Sequence, residues 1–345
     1  MPDFLRWLLN AAKPGKPLPP GEFIWSPGKH FLFHQCRRAW FFRHYLAQGG
    51  WNDLSSDPAM HAYLLKYLST VDSWMSAALE ESLSGALLDI MLFSGEGRTA
   101  QLTEAFQIRI SSHLIHARDD LMHGEYLNDP KRTSFQELYY DTGEYRSIPE
   151  LLSIMQNRFA DFFRLWEDSG ESSELAAMEP LSWRLPPEYR TFVYAGQQIS
   201  LRPWIYAVHR RMVKAWTFRF SFSGEGSAEN RDDMNSDLPG QVLAAWCAKK
   251  YPEFELCIRK ILITPKGLIC RTERPEPVDE DLIALSAYEM LETVNHPGGL
   301  KVELFPRLET PEACSRCRFR QLCETQAVPP EEAGEEKSGS QYRNE

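Results

Sequence analysis

Three cysteines crowd into the segment CSRCRFRQLC near one end of the chain, Cys314, Cys317 and Cys323, and a fourth, Cys36, stands beside arginines near the other end. Thiolates separated by two and five residues converge on one side of a turn. In a reducing compartment such a group is a metal site more often than a disulfide framework. A fourth ligand is still required, and the candidates are Cys36, Cys247, Cys257 and Cys270. The last three stand singly in apolar stretches and read as small buried side chains; Cys36, on a helix among arginines, is favoured. If it joins the others, the fold must bring both ends of the chain together. Arg316, Arg318 and Arg320 are expected to stabilise the thiolates. Four cysteines hold either a zinc ion or a [4Fe–4S] cluster, and the spacing leaves both open.

At 345 residues the chain has room for two ordinary domains, or one large α/β domain with an insertion. Its hydrophobic fraction of 43% and its 10 Trp, 13 Tyr and 19 Phe supply a sizeable core. Mostly disordered, collagen-like and disulfide-scaffold readings are thereby excluded. A formal charge of −10 argues against a general nucleic-acid coat but leaves room for a local basic face. No window approaches the ~20 apolar residues of a membrane helix. The short apolar run Phe4–Leu9 lacks the cleavage site of a secretory leader, so a cytoplasmic protein with no membrane partner is expected.

Residues 1–28 read as an extended lead-in rich in Pro and Gly, and 29–55 as an N-terminal helix carrying Cys36. The stretch 56–178 holds long helical patterns such as HAYLLKYLSTVDSWMSAALEESL and SIPELLSIMQNRFADFFRLWED, which predict a helical insertion. From 179 the texture becomes β-like. RTFVYA, QQISLRPWIYAV and MVKAWTFRFSFS predict a three-strand meander, with turns at Gly196 and His209–Arg211. A helix then begins near Asp237, followed by the strands FELCIRKILIT and LICRTERP and an acidic-start helix over Pro277–Asn295. A core is placed at 179–325. The tail 326–345 carries five acidic against two basic residues and reads as disordered.

This order is α/β with an inserted helical lobe, and its ends resemble a known family. The segment FLFHQCRRAWFFRHY with Cys36, together with the late C-x2-C-x5-C, is similar to the cysteine motifs of RecB-like PD-(D/E)XK nucleases that carry a [4Fe–4S] cluster. That group includes AddB subunits and CRISPR adaptation exonucleases. The resemblance implies a restriction-endonuclease-like core with a central mixed sheet and a large helical insertion. It also implies that Cys36, Cys314, Cys317 and Cys323 ligate a [4Fe–4S] cluster, with zinc as the alternative.

The family's catalytic pattern is degenerate here. It runs from a Gly-x-x-x-His helix to a strand ending in Asp, a (D/E)-x-K strand and a helix opening Q-x-x-x-(Y/W). Those positions correspond best to Ser76 and Glu80, then Trp204, then Ala215 and Thr217, then Gln241 in QVLAAW. The composition agrees without any family. Holding Mg²⁺ needs carboxylates, yet Tyr189–Gly224 contains no Asp or Glu and does contain Arg190, Arg202, Arg210, Arg211, Lys214 and Arg219. No catalytic residue is therefore expected. The lone carboxylates Glu137, Glu225, Glu229, Glu253 and Glu255 read as surface groups, as do His113, His116, His123, Asp119 and Asp120, and a relocated nuclease site is the alternative. Arg37, Arg202, Arg210, Arg211, Lys214 and Arg219 are the candidate phosphate contacts. Trp40, Phe41, Phe42, Trp204 and Trp216 are the candidate stacking groups. The expected function is a catalytically inactive, DNA-binding or scaffolding subunit of a DNA-processing or defence complex. The other readings are an active DNase and a zinc-stapled adaptor.

Overall fold

A computed structural model of the chain describes residues 23–52, 56–90, 97–123, 129, 132–178, 182–184, 190–202, 205–222, 238–297, 300–308 and 310–325. It divides into two compact units, Met1–Phe31 with Tyr67–Leu304, and Leu32–Lys66 with Phe305–Glu345. The first elements in chain order are β1 (Ile24–Trp25), α1 (Pro27–Gln35), α2 (Arg37–Phe41) and α3 (Asp57–Tyr67).

The larger unit continues with α4 (Val71–Ile90), α5 (Arg98–His123), α6 (Gln136–Tyr139), α7 (Ile148–Asp168) and α8 (Glu171–Ala177). Local chemistry accounts for α7: Ser147 accepts the Glu150 N–H as N-cap, and Pro149 sits in the first turn, where no amide is needed. Leu151, Met155, Phe159, Phe162 and Trp166 then recur at three- and four-residue spacing, and all are buried.

Next come β2 (Trp183–Arg184), β3 (Arg190–Tyr194), β4 (Gln197–Leu201), β5 (Ile205–His209), β6 (Met212–Phe220), α9 (Leu238–Lys250), β7 (Glu255–Thr264), β8 (Gly267–Glu273) and α10 (Glu280–Val294). The strands form two sheets, β1-β4-β3 and β2-β5-β6-β7-β8. In the larger sheet only β6 and β7 run parallel, and α9 supplies the crossover that parallel neighbours require. The fold is mixed α/β with mixed sheets.

The expected three-strand meander is corrected. QQISLRPWIYAV is not one strand: β4 pairs with β3 and β1, while β5 pairs with β6 and β2, so the segment changes sheet after Leu201. The sequence places Pro203 in that interval, and a residue without an N–H is ill suited to a continuous ladder.

One face of the larger sheet carries Trp216, Phe218, Phe220, Ile261 and Ile263. It shares a single core with α4, α5, α7 and α8, so the helical lobe and the sheet are one packed body. The opposite face carries Ala215 and Tyr206 and meets α9, where Trp246 lies edge-on to Tyr206 at 5.5 Å. The two hairpins β3–β4 and β5–β6 turn through Ala195–Gly196 and Arg210–Arg211, all with positive φ. For the arginine pair (φ 45° and 61°) this is the turn that normally selects Asn-Gly. Among the described residues no helix is long and apolar enough to cross a membrane.

Candidate functional site

Two places bring the sequence-predicted residues together: a seam between α4 and β6 in the larger unit, and the cysteine region of the smaller one.

Among the described residues, the pairing of β5 with β6 reaches Ile205 opposite Trp216, and the amides of Phe218, Phe220 and Phe222 on β6 and just after it lie beyond that pair. Helix α4 supplies acceptors for them. The Phe222 N–H donates to Asp72 Oδ2 at 2.8 Å, the Phe220 N–H to Ser76 Oγ at 2.9 Å, and the Phe218 N–H to Glu80 Oε1 at 3.4 Å. The match is one of pitch. Residues four apart on a helix rise about 6 Å, and residues two apart on a strand about 6.6 Å, so one helix face can stand in for a strand.

The same seam joins two positions that sequence matching had assigned to separate elements. Thr217 Oγ1 donates to Glu80 Oε1 at 3.1 Å. Desolvation pushes the Glu80 carboxyl up from the ordinary carboxylate range, against the opposing pull of Arg219, the Thr217 and Phe218 bonds, and Arg202. Ala215 is fully buried and Thr217 nearly so. These positions thus form a closed polar contact. Gln241 lies on α9, where its carbonyl accepts the Val278 N–H at 3.1 Å. Trp204 lies outside the described residues.

Of the candidate phosphate contacts, Arg37, Arg202, Arg210, Arg211 and Arg219 are exposed. Arg202 and Arg219 both act on Glu80, and Arg210 and Arg211 form the β5–β6 turn, where Arg211 lies 3.8 Å from Glu253. Lys214 departs from the expected set. It alternates onto the helix-packed face of β6, pairs with Glu174 and sits 5.3 Å over the Trp216 ring. The expected stacking groups are corrected too. Trp40, Phe42 and Trp216 are fully buried and Phe41 nearly so, because each serves a core. Among the described residues, the exposed tryptophan is Trp51, 61% accessible, with its ring 5.7 Å from Tyr63.

Glu137 is also unlike the surface group that its sequence suggested. Its Oε1 accepts the Val71 N–H at 2.9 Å, capping α4, while Oε2 is buried without a partner among the described residues. Desolvation lifts its carboxyl to about 7. Asp120, by contrast, makes ordinary structural contacts with the Thr133 N–H and Arg132. The His123 ring bonds the Asp119 carbonyl at 2.6 Å. Glu225 and Glu229 lie outside the described residues.

In the smaller unit the helix expected within residues 29–55 is broken at Cys36. That residue is extended (φ −155°, ψ 106°) between α1 and α2, and a π-helical turn, Phe42–Leu46, follows α2. The late segment is brought against this break. The Arg38 amide and Nε donate to the carbonyls of Pro306 and Phe305, and Phe41 stacks on Phe305 at 4.5 Å. Phe42 meets Phe319 edge-on at 5.9 Å. The C-terminal cysteines sit on α11 (Pro311–Ser315), the turn after it, and α12 (Arg320–Thr325). Arg318 reaches the Lys66 carbonyl at 3.1 Å and Arg320 the Ser315 carbonyl at 2.7 Å.

All four thiols are partly buried. Burial raises the Cys314 thiol first, and Cys36 and Cys323 raise it further. Cys317 is pushed up to about 11, again by burial, with added repulsion from Cys36, Cys323 and Cys314, while the Phe319 N–H bonds its sulfur. The expected thiolate stabilisation by the nearby arginines is therefore outweighed at these two sulfurs by desolvation and mutual repulsion. The sulfurs are electrostatic neighbours, yet among the described residues no group of three or more His, Cys, Asp or Glu side chains is arranged to hold a metal ion. Cys247 and Cys257 are buried as expected, and Cys270 is partly so.

Fold and site define a mixed α/β protein with a closed helix–strand seam and a second unit that joins four cysteines from both ends of the chain. No protein-family model and no curated protein matches it. A solved structure titled "Crystal structure of SSO0001" is similar over 76% of this chain and 96% of that one, at 13% identity and a TM-score of 0.28, a likeness too slight to carry an argument.

Proposed function

We propose that the protein is a catalytically inactive member of the RecB-like PD-(D/E)XK group, stapled by a [4Fe–4S] cluster, that binds DNA as a subunit of a DNA-processing or defence complex. The observation that carries this reading is that Cys36, Cys314, Cys317 and Cys323 belong to one compact unit, where Cys36 and Cys323 act electrostatically on Cys314 and Cys317. These are the residues that would hold the cluster. Four partly buried thiols, one already accepting an amide N–H, have the donor chemistry that it takes. Its contribution would be structural, tying residues 32–66 to the chain's far end.

The order of elements supports the nuclease-like part of the reading. Helix α4, strand β6 and helix α9 occur in the order of the motif, with other elements between α4 and β6, and Glu80 and Thr217 touch where the family has its His and Lys. Composition and geometry together support inactivity. The strands of this region bring cations and no carboxylate of their own, and Glu80 is held in a desolvated hydrogen-bonded contact. The exposed Arg37, Arg202, Arg210, Arg211 and Arg219 are the candidates left to meet phosphate, so affinity should fall steeply with salt.

Anaerobic purification followed by metal and sulfide analysis and visible absorption tests the cofactor. About four iron and four sulfide per chain, with broad charge-transfer absorption, is the expected result; one zinc per chain would replace the cluster with the adaptor reading. Incubation with Mg²⁺ or Mn²⁺ and linear or single-stranded DNA tests the chemistry. Retention without cleavage is expected, and metal-dependent cleavage would refute the inactive assignment.

A further inference from the structure

Helix α10 is amphipathic in an unusual sense. Its inner face buries Ile283, Ser286, Ala287, Met290 and Val294. Ser286 also bonds Trp25 Nε1 at 3.0 Å and His30 Nδ1 at 2.8 Å. Its outer face is apolar as well, with Leu282 38%, Leu285 63% and Tyr288 63% exposed. Isolated exposed apolar residues need no explanation, but three at successive three-residue spacing form a ridge, and such ridges mark contact surfaces.

The charge around this ridge has one sign. Asp281, Glu289 and Glu292 share the exposed face, and Asp279 and Glu280 stand at the helix start. From Pro275 to Leu300 the sequence holds six acidic residues and no Lys or Arg. The ridge runs along a helix, so its complement is another helix, with an apolar stripe for Leu282, Leu285 and Tyr288 and cations for the acids. We propose that the outer face of α10 docks a basic amphipathic helix of a partner protein. Leu285 and Tyr288 are the anchors, and the acids set the partner's charge and orientation. The surface lies on a different element from the degenerate centre and the cysteines, and the inference stands whether or not a cluster is bound.

The test uses the full chain and a synthetic 14-residue Leu/Lys amphipathic peptide, with its Leu/Glu counterpart as control. Titration calorimetry should show binding of the Leu/Lys peptide that weakens with salt and falls at least tenfold in a Leu285→Glu/Tyr288→Glu double variant. The Leu/Glu peptide should not bind. Hydrogen exchange should slow over residues 280–294 when the Leu/Lys peptide is added. Both substitutions are at exposed positions, and unchanged circular dichroism would confirm that the variant is folded. Equal binding to the variant, or protection elsewhere with none on α10, would overturn the proposal. Faster α10 exchange on deleting residues 1–22 would instead name the chain's own N-terminal segment as the occupant. A dimer of the unmodified chain that the double variant abolishes would name a second copy. Either result overturns the partner assignment.

Discussion

Two serines on one helix separate the strand-substitution account from a simple packing account. Ser76 and Ser82 are both buried in α4, 3% and 1% exposed. Ser76 Oγ accepts the Phe220 N–H at 2.9 Å and donates to the Asp72 carbonyl at 2.7 Å, whereas Ser82 Oγ has no partner among the described residues. Ser76→Ala strands a buried strand amide at a cost of about 1–3 kcal/mol, offset by roughly 0.5 kcal/mol of better helix propensity. Ser82→Ala gains the same propensity and removes a desolvated hydroxyl with no partner among the described residues, so it should be neutral or stabilising by up to about 1 kcal/mol. The two variants should therefore differ in sign, by about 1–3 kcal/mol. Equilibrium urea unfolding reads the difference, and hydrogen exchange at the Phe220 amide, faster in Ser76→Ala alone, locates it. Equal losses for both variants, or an unchanged Phe220 amide, would refute the idea that α4 completes the edge of β6.

The remaining predictions address titration, the turn and the cysteines. Glu137 has its carboxyl raised from the ordinary 4.5 to about 7, so its stabilising contribution is complete below the unfolded value and is lost as pH rises through about 7. At about 1.4 kcal/mol per pH unit this amounts to roughly 3 kcal/mol. Glu137→Gln keeps an acceptor for the Val71 N–H, so its stability relative to the parent should improve by up to that amount between pH 5 and 8, and a difference that does not change with pH contradicts the assignment. Arg210→Asn with Arg211→Gly replaces two left-handed arginines with the pair that this turn favours and should stabilise by about 1–2 kcal/mol while weakening DNA retention at low salt. Unchanged retention would remove the turn from the DNA contact. Cys36→Ser and Cys317→Ser should each abolish visible absorption and lower the yield of folded protein to a similar degree, since each breaks the same tie. A fully coloured Cys36→Ser protein would show that the fourth ligand lies elsewhere.

Much of the fold was legible because its signals are local. The α7 periodicity behind Ser147, the Asp279 cap of α10, and the runs that became β7 and β8 all lie within a few residues of what they determine. The seam was only half legible. Glu80 and Thr217 could be placed by matching to a motif, but 137 residues separate them, and their hydrogen bond depends on how α4 packs along β6. Lys214 and Glu137 were misread for one reason: composition counts a charge without saying which face it occupies. Alternation put Lys214 against Glu174, and the start of α4 drew Glu137 inward.

On its own, the order of residues determined helix and strand identity, the cysteine spacing, and the absence of acids from the strand region, since these rest on neighbouring side chains and bare composition. Tertiary structure decided where β4 and β5 part company, that Cys36 sits in a break between helices, and that the cysteines from both ends become neighbours. Those outcomes depend on which distant surfaces bury each other, and a linear pattern with periods of two or four residues carries no record of that choice.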